Sequence, residues 1–338
     1  MENNEERVFK HYLDLPEKAR MTVIDEMAPQ ERCRFTRCSQ LSGKEARASK
    51  NYIYGASIRR RAFKSVEVIV TFGKHENRRG RRCGFSLIFS EQSGKKYLRY
   101  ASSGSRPGWQ KELDEKTNFI QCAVEELRSW VKTYQKTIRK LRLDGASFDY
   151  RGETLKKLDF EVESLDSLEA LELTGDIDIS HIFAKLRRPL KELHIKEVEN
   201  GEYFLENFEL VCQVQKKLLW WDGNLNNEQF LRLKANTVCI PIGQLTEKDV
   251  FRFIRSWQNG TVGKDVIDFY WGLEGSNFNE RTFLKLLRVP EREPRFVEIK
   301  HFTHHGISGV LYFYRHLNSP SIRFTTNMKG DGFLFQFN

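Results

Sequence analysis

Apolar positions first recur at helical spacing. Ala19, Val23, Ile24 and Met27 fall at i, i+4, i+5 and i+8, which makes one apolar face. Leu15-Pro16 opens this run, and a proline suits the first helical position because its missing N–H would have no partner there. Pro29 restarts the chain for a second short helix with Phe35 and Cys38 on one side, and Ser42 is placed to cap a third that ends in a basic stretch. From residue 66 to 102 the period changes to two. Val66, Val68, Val70 and Phe72 alternate along the chain, then Phe85–Phe89 and Tyr97–Tyr100, with polar, glycine-containing segments between them. This predicts a two- or three-stranded antiparallel ribbon. Helical spacing returns with Ile120, Val124, Leu127, Val131 and Tyr134, which share one face.

Beyond that helix, an apolar-x-x-apolar-x-apolar pattern occurs four times. It reads Ile138-x-x-Leu141-x-Leu143, Leu155-x-x-Leu158-x-Phe160, Leu168-x-x-Leu171-x-Leu173 and Leu190-x-x-Leu193-x-Ile195. Alternate residues of a strand point to one side, so the pattern predicts a leucine ladder buried in a stack of parallel strands. The middle leucines, Leu141, Leu158, Leu171 and Leu193, are spaced by 17, 13 and 22 residues, which makes the repeat irregular. The polar positions that alternate with the ladder are Arg142, Asp159, Glu172 and His194, and these are the expected substrate-binding positions on the strand face. A second device follows. Leu225-Asn226 precedes Phe230, Leu245-Thr246 precedes Val250, and Phe278-Asn279 precedes Phe283, each an N-cap inside a hydrophobic staple. Strand-like pieces at Leu218–Trp221, Thr237–Ile240, Val266–Trp271 and Phe296–Ile299 lie between these helices.

The expected fold class is therefore α+β. A small N-terminal all-helical module (1–55) precedes a basic β-ribbon (56–110) and an irregular leucine-rich-repeat-like α/β solenoid (111–338).

Charge adds one fact to this picture. Residues 1–110 hold 23 Lys and Arg against 12 Asp and Glu, whereas the remainder holds 33 against 34, so the net +10 comes from the N-terminal third. Runs at Arg59–Arg61 and Arg78–Arg82 carry much of it. Such runs mark nucleic-acid contact or nuclear import, or more often a solvated face or the complement of an acidic protein partner, and no recognised nucleic-acid motif accompanies them. The opening Met1-Glu2-Asn3-Asn4-Glu5-Glu6 is unlike a leader, and no apolar stretch approaches the roughly 20 residues of a membrane span. Six cysteines without C-x-x-C spacing fit a reducing compartment, so an intracellular protein, cytoplasmic or nuclear, is expected. No phosphate loop, G-x-S-x-G or G-x-G-x-x-G is present, and His301, His304 and His305 lack a nearby Cys to complete a metal site. Neither a catalytic residue, a cofactor nor a metal is expected.

Two regions resemble a known family. Residues 15–46 resemble an F-box, through Leu15-Pro16, Ala19, Val23, Ile24 and Met27, then Pro29, Arg32, Phe35 and Cys38-Ser39. Ala19 is smaller than the usual Val or Leu, and Leu41 stands where an aromatic is common. Residues 218–271 look like the associated domain of the expanded nematode F-box families. The similarity lies in Leu225-Asn226-Asn227-Glu228-Gln229-Phe230-Leu231, in Leu245-Thr246-Glu247-Lys248-Asp249-Val250, and in Phe253-Ile254-x-x-Trp257-x-x-Gly260. The tail from Ile307 to Phe337 is similar to that domain's end. The resemblance implies the substrate-recognition subunit of a cullin–RING ubiquitin ligase, with no active site of its own. Leu15, Pro16, Val23, Ile24, Met27, Pro29, Arg32 and Phe35 would bind the ligase's small acidic adaptor, and the C-terminal domain would capture a protein substrate. Two other readings stand beside it: a repeat-domain binding module whose F-box has decayed, and a less favoured nucleic-acid-binding protein using the basic N-terminal third.

Overall fold

The computed structural model describes residues 12–27, 53–62, 64–76, 82–102, 110–133, 138–144, 149–150, 153–154, 165–172, 185–198, 202–221, 223–261, 268–273, 276–288, 296–304, 307–314 and 321–326, together with Phe35, Ser39, Leu41, Ser42, Lys44, Glu45, Val162 and Ile182. Two compact units divide the chain, Met1–Leu165 and Asp166–Asn338.

The first unit opens with one helix, α1 (Glu17–Glu26), whose N-cap is Pro16. Its sheet then dominates. Strands β1 (Ile53–Ala62), β2 (Ser65–Glu76), β3 (Arg82–Gln92), β4 (Lys95–Ser102) and β5 (Gln110–Leu113) form an antiparallel meander, and β6 (Lys140–Asp144) pairs parallel with β1. Val68 lies between Ile58 and Leu87 across the sheet, and Leu87 lies opposite Tyr100. One face is packed by helix α2 (Phe119–Thr133), which buries Phe119, Ile120, Ala123, Val124, Leu127, Trp130 and Val131. Trp130 meets the ring of Phe85 edge-on at 5.2 Å. A small hairpin joins β7 (Asp149–Tyr150) to β8 (Glu153–Thr154).

In the second unit β9 (Ser167–Leu171), β10 (Glu192–Lys196), β11 (Lys217–Trp220), β12 (Thr237–Pro241) and β13 (Asp268–Gly272) lie side by side in chain order, all parallel. Three antiparallel strands extend the sheet past β13: β16 (Ser321–Thr325), then β15 (Ile307–Tyr314), then β14 (Phe296–His304). Helices α3 (Glu202–Glu206), α4 (Phe208–Val211), α5 (Asn227–Leu231), α6 (Glu247–Gln258) and α7 (Glu280–Leu287) fill the connections. The staples form as read. Asn226 and Gln229 close a reciprocal capping box, Asp249 accepts from both the N–H and the hydroxyl of Thr246, and Asn279 caps α7 with Phe278 against Phe283 at 5.2 Å. The core is aromatic. Phe230, Phe253, Phe269 and Trp271 pack against one another, mostly tilted or edge-to-face, and Trp257 packs edge-on to Phe324.

The expected plan of a helical N-terminal module, a ribbon and a leucine-rich-repeat-like solenoid is therefore corrected. Mixed β-sheet dominates, and helices are few among the described residues. The basic end of the expected third helix, residues 46–50, lies outside the described residues, and β1 begins at Ile53, inside the span expected to be helical, with Ile53, Ala56 and Ile58 turned inward. The ribbon expected at 66–102 is part of the larger first sheet. Of the ladder residues, Leu141 lies on β6, Leu171 on β9 and Leu193 on β10, and Leu158 lies outside the described residues. In β9 the phase also slips by one, since Leu168 and Ala170 are the buried positions and Leu168 is the neighbour of Leu193. A period-two pattern fixes which residues alternate but not which strand they pair with, and a one-residue slip exchanges the two faces. Among the described residues no helix is long and apolar enough to cross a membrane.

Candidate functional site

Two places carry the expected binding residues. On the N-terminal segment, α1 turns one side inward. Ile24 packs with Tyr12 and Phe35, and Met21 and Met27 lie against that cluster. Arg20, on the same side one turn before Ile24, donates from Nε to Glu45 at 2.7 Å and from Nη1 to the Leu15 carbonyl at 2.7 Å. The Tyr12 hydroxyl donates to the other Glu45 oxygen at 2.6 Å. Burial, reinforced by the neighbouring Glu45 carboxylate, pushes the Tyr12 phenol above its ordinary range. This network gives the buried Glu45 two charge-compensating donors, without which its burial would be costly.

Other apolar residues of the segment are left open. Leu13, Leu15, Val23 and Leu41 are between 37% and 63% exposed, and only one other large apolar side chain among the described residues, Leu210, is as open. Pro16 is exposed too. The eight expected adaptor contacts thus separate. Leu15, Pro16 and Val23 are available, Met27 is partly so, and Ile24 and Phe35 belong to the local core. Pro29 and Arg32 lie outside the described residues. Leu13 and Leu41 were missed, although both are apolar residues in a polar neighbourhood and that signal was readable.

The second place is a row across the strands of the second unit, in which Leu219, Cys239, Tyr270 and Arg323 are buried and only Glu169 and His194, with Trp221 beside them, are half-buried. Strand register sets Glu169, His194, Leu219, Cys239, Tyr270 and Arg323 in one row. The Trp221 indole N–H donates to His194 Nε2 at 2.9 Å, which makes that nitrogen the acceptor and leaves the ring proton on Nδ1. Leu219, Cys239 and Tyr270 form a small cluster with Trp221 against it. The Arg323 guanidinium grips Asp268 through two bonds, 2.7 and 2.9 Å, and lies 5.2 Å over the Tyr270 ring. Of the expected substrate-binding positions, His194 falls in this row, half-buried. Glu172 is exposed just past β9 with its N–H bound to the Lys196 carbonyl, Arg142 sits on β6 of the first unit, and Asp159 lies outside the described residues. The row's apolar members escaped notice because strands such as Lys217–Trp220 are apolar on both faces, and alternation alone gives no sign of which face is the surface.

Little else invites chemistry. Burial raises the Cys122, Cys212 and Cys239 thiols above their ordinary range, opposite to what a thiolate nucleophile needs. In the basic first unit Arg59 is bound to the buried Glu67 and Lys64 to the buried Glu91, so part of the surplus is spent internally. Arg78–Arg81 lie outside the described residues. The chain matches no family model, no curated protein and no solved structure.

Proposed function

We propose that this chain is the substrate-recognition subunit of a cullin–RING ubiquitin ligase and works in the cytoplasm or nucleus. The N-terminal segment, similar in sequence to an F-box, engages the small acidic adaptor, and the second unit captures a protein substrate. The chain contributes no catalytic group; ubiquitin transfer belongs to its partners. The observation that carries the reading is the apolar set Leu13, Leu15, Val23 and Leu41, held open on a segment whose inner side is locked by Tyr12, Arg20 and Glu45. Ala19 and Val23 also lie four residues apart on α1, one turn along the same side, with Leu15 just ahead of the helix. The positive balance of residues 1–110 complements an acidic adaptor and would act mainly on the association rate. On the substrate side, the His194–Trp221 pair supplies an aromatic and polar anchor on the row described above.

Co-precipitation of the full chain with the adaptor tests this. Leu15→Asp with Val23→Asp places two charges on exposed positions and should reduce adaptor recovery at least about ten-fold, a cost of ~1.4 kcal/mol or more. Thermal stability should stay within a few degrees, since both sites are open. Undiminished recovery would remove the adaptor assignment and leave a binding protein that acts outside a ligase.

A further inference from the structure

We infer that His194 and Trp221 form a proton-operated latch on the second unit, in which neutral His194 pins the Trp221 ring and protonated His194 releases it. The latch regulates the row to which the proposed function assigns substrate capture, and it rests on that reading only for what the released ring then does. Its existence is tested on the chain alone.

The bond itself fixes the protonation state. An indole N–H can only donate, so the His194 Nε2 that accepts it at 2.9 Å carries no proton. The two rings are tilted at 49° with centroids 6.4 Å apart, so they do not stack, and the hydrogen bond is what couples them. A proton on Nε2 would set two donors against each other at that distance. Protonation and the bond therefore exclude one another, and the pair must separate when the imidazole takes its charge.

One partner is fixed and the other is able to move. His194 lies inside β10, flanked by Glu169 of β9 and Leu219 of β11. Trp221 comes one residue after β11 ends. Its backbone N–H still donates to the Ile195 carbonyl at 3.0 Å, which anchors the main chain and leaves the side chain as the movable part. Adjacent residues of a strand point to opposite sides, and the two tryptophans follow this rule. Trp220 is buried beside Phe204, whereas Trp221 is half-buried and lies against Leu219, Cys239 and Tyr270. Release of the Trp221 ring uncovers part of that cluster.

Imidazole is the side chain whose charge ordinarily changes between about pH 5 and 8. The charged groups around His194 are of both signs. Glu169 is its neighbour on β9, and Glu192 and Lys196 stand two residues to either side on β10. Lys217 lies on β11 beside Glu192, and Glu172 follows β9 with its N–H on the Lys196 carbonyl. Lys196 is itself 3.3 Å from Glu197. The acids favour the imidazolium and the bases oppose it, so the field has no single sign to lock the ring in one state. The indole bond favours the neutral form. It is present above the pH at which His194 takes its proton and is lost as pH falls through it.

The test is an NMR titration of the full chain, carrying isotope-labelled tryptophan and histidine, from about pH 8 to about pH 5. Trp221→Phe identifies the Trp221 signal among the six indoles, and His194→Gln identifies that of His194. The Trp221 signal should move with the same midpoint as His194. Its exchange with solvent, corrected for the intrinsic effect of pH, should be at least about ten-fold faster on the acid side, as for a group released by local opening. Glutamine keeps an acceptor that does not titrate, so in His194→Gln the Trp221 signal should stay level across the range. Trp221→Phe removes the donor and should raise the His194 midpoint by about half to one pH unit, the worth of one hydrogen bond. Four results would overturn the inference: a His194 that takes no proton in this range, a Trp221 signal that does not follow it, a His194→Gln chain that keeps the original pH profile, or a Trp221→Phe chain with an unmoved His194 midpoint. The first two need no variant and decide even where a variant fails to fold. Absence of the latch in a chain that binds the adaptor would end this inference alone, and a working latch in a chain that does not bind it would end the proposed function alone.

Discussion

Glu45 shows how one buried acid organises the N-terminal segment. Its two oxygens are taken by the Tyr12 hydroxyl and the Arg20 guanidinium, and Arg20 also lies 5.9 Å over the Tyr12 ring. Tyr12→Phe keeps the ring against Phe35 and removes the hydroxyl donor, leaving a buried carboxylate oxygen without that partner. The cost should be about 1–3 kcal/mol, seen as faster amide hydrogen exchange through α1; unchanged exchange would show that the network is not what fixes the segment. The same tyrosine gives a pH dependence. Folding raises its phenol, so its contribution is present below the ordinary phenol value near pH ~10 and is lost as pH rises above it. At this scale the sequence was half legible. Ile24, Phe35, Leu15 and Val23 are all apolar at suitable spacings, and periodicity alone does not separate a face that meets the protein's own core from one that meets a partner.

Elements were more legible where local chemistry decides them. Asn226, Thr246 and Asn279 cap their helices as read, because a cap and its staple are complete within six residues. Strands β11 to β13 also fall within a few residues of their expected places. Pairing is a different matter. β16 closes antiparallel onto β13 and β6 pairs parallel with β1, through contacts far apart in sequence that no local pattern encodes. Gly309 marks one such contact. A Cβ there would lie 2.6 Å from Phe324 Cζ and 3.2 Å from Trp257, where β15, β16 and α6 meet. Gly309→Ala should cost about 1–3 kcal/mol by overpacking, measurable in urea unfolding followed by tryptophan fluorescence. A neutral result would mean that this aromatic contact is slack.

At the level of the whole molecule, two features support the proposed receptor. Among the described residues, four of the five exposed large apolar side chains lie in the N-terminal segment, and positive charge is concentrated in the same third of the chain. The first gives a docking patch its affinity, and the second speeds encounter with an acidic partner and is screened by salt. Of this, the charge asymmetry and the F-box-like residues were visible in the sequence; the exposure of Leu13 and Leu41 needed the fold. The measurement that reaches the proposal most directly is a calorimetric titration of the full chain with the purified acidic adaptor at low and high salt. Saturable one-to-one binding is expected, weaker at high salt than at low, with affinity lost in the Leu15→Asp, Val23→Asp variant. No detectable heat or complex at either salt concentration, with the chain folded, would contradict it.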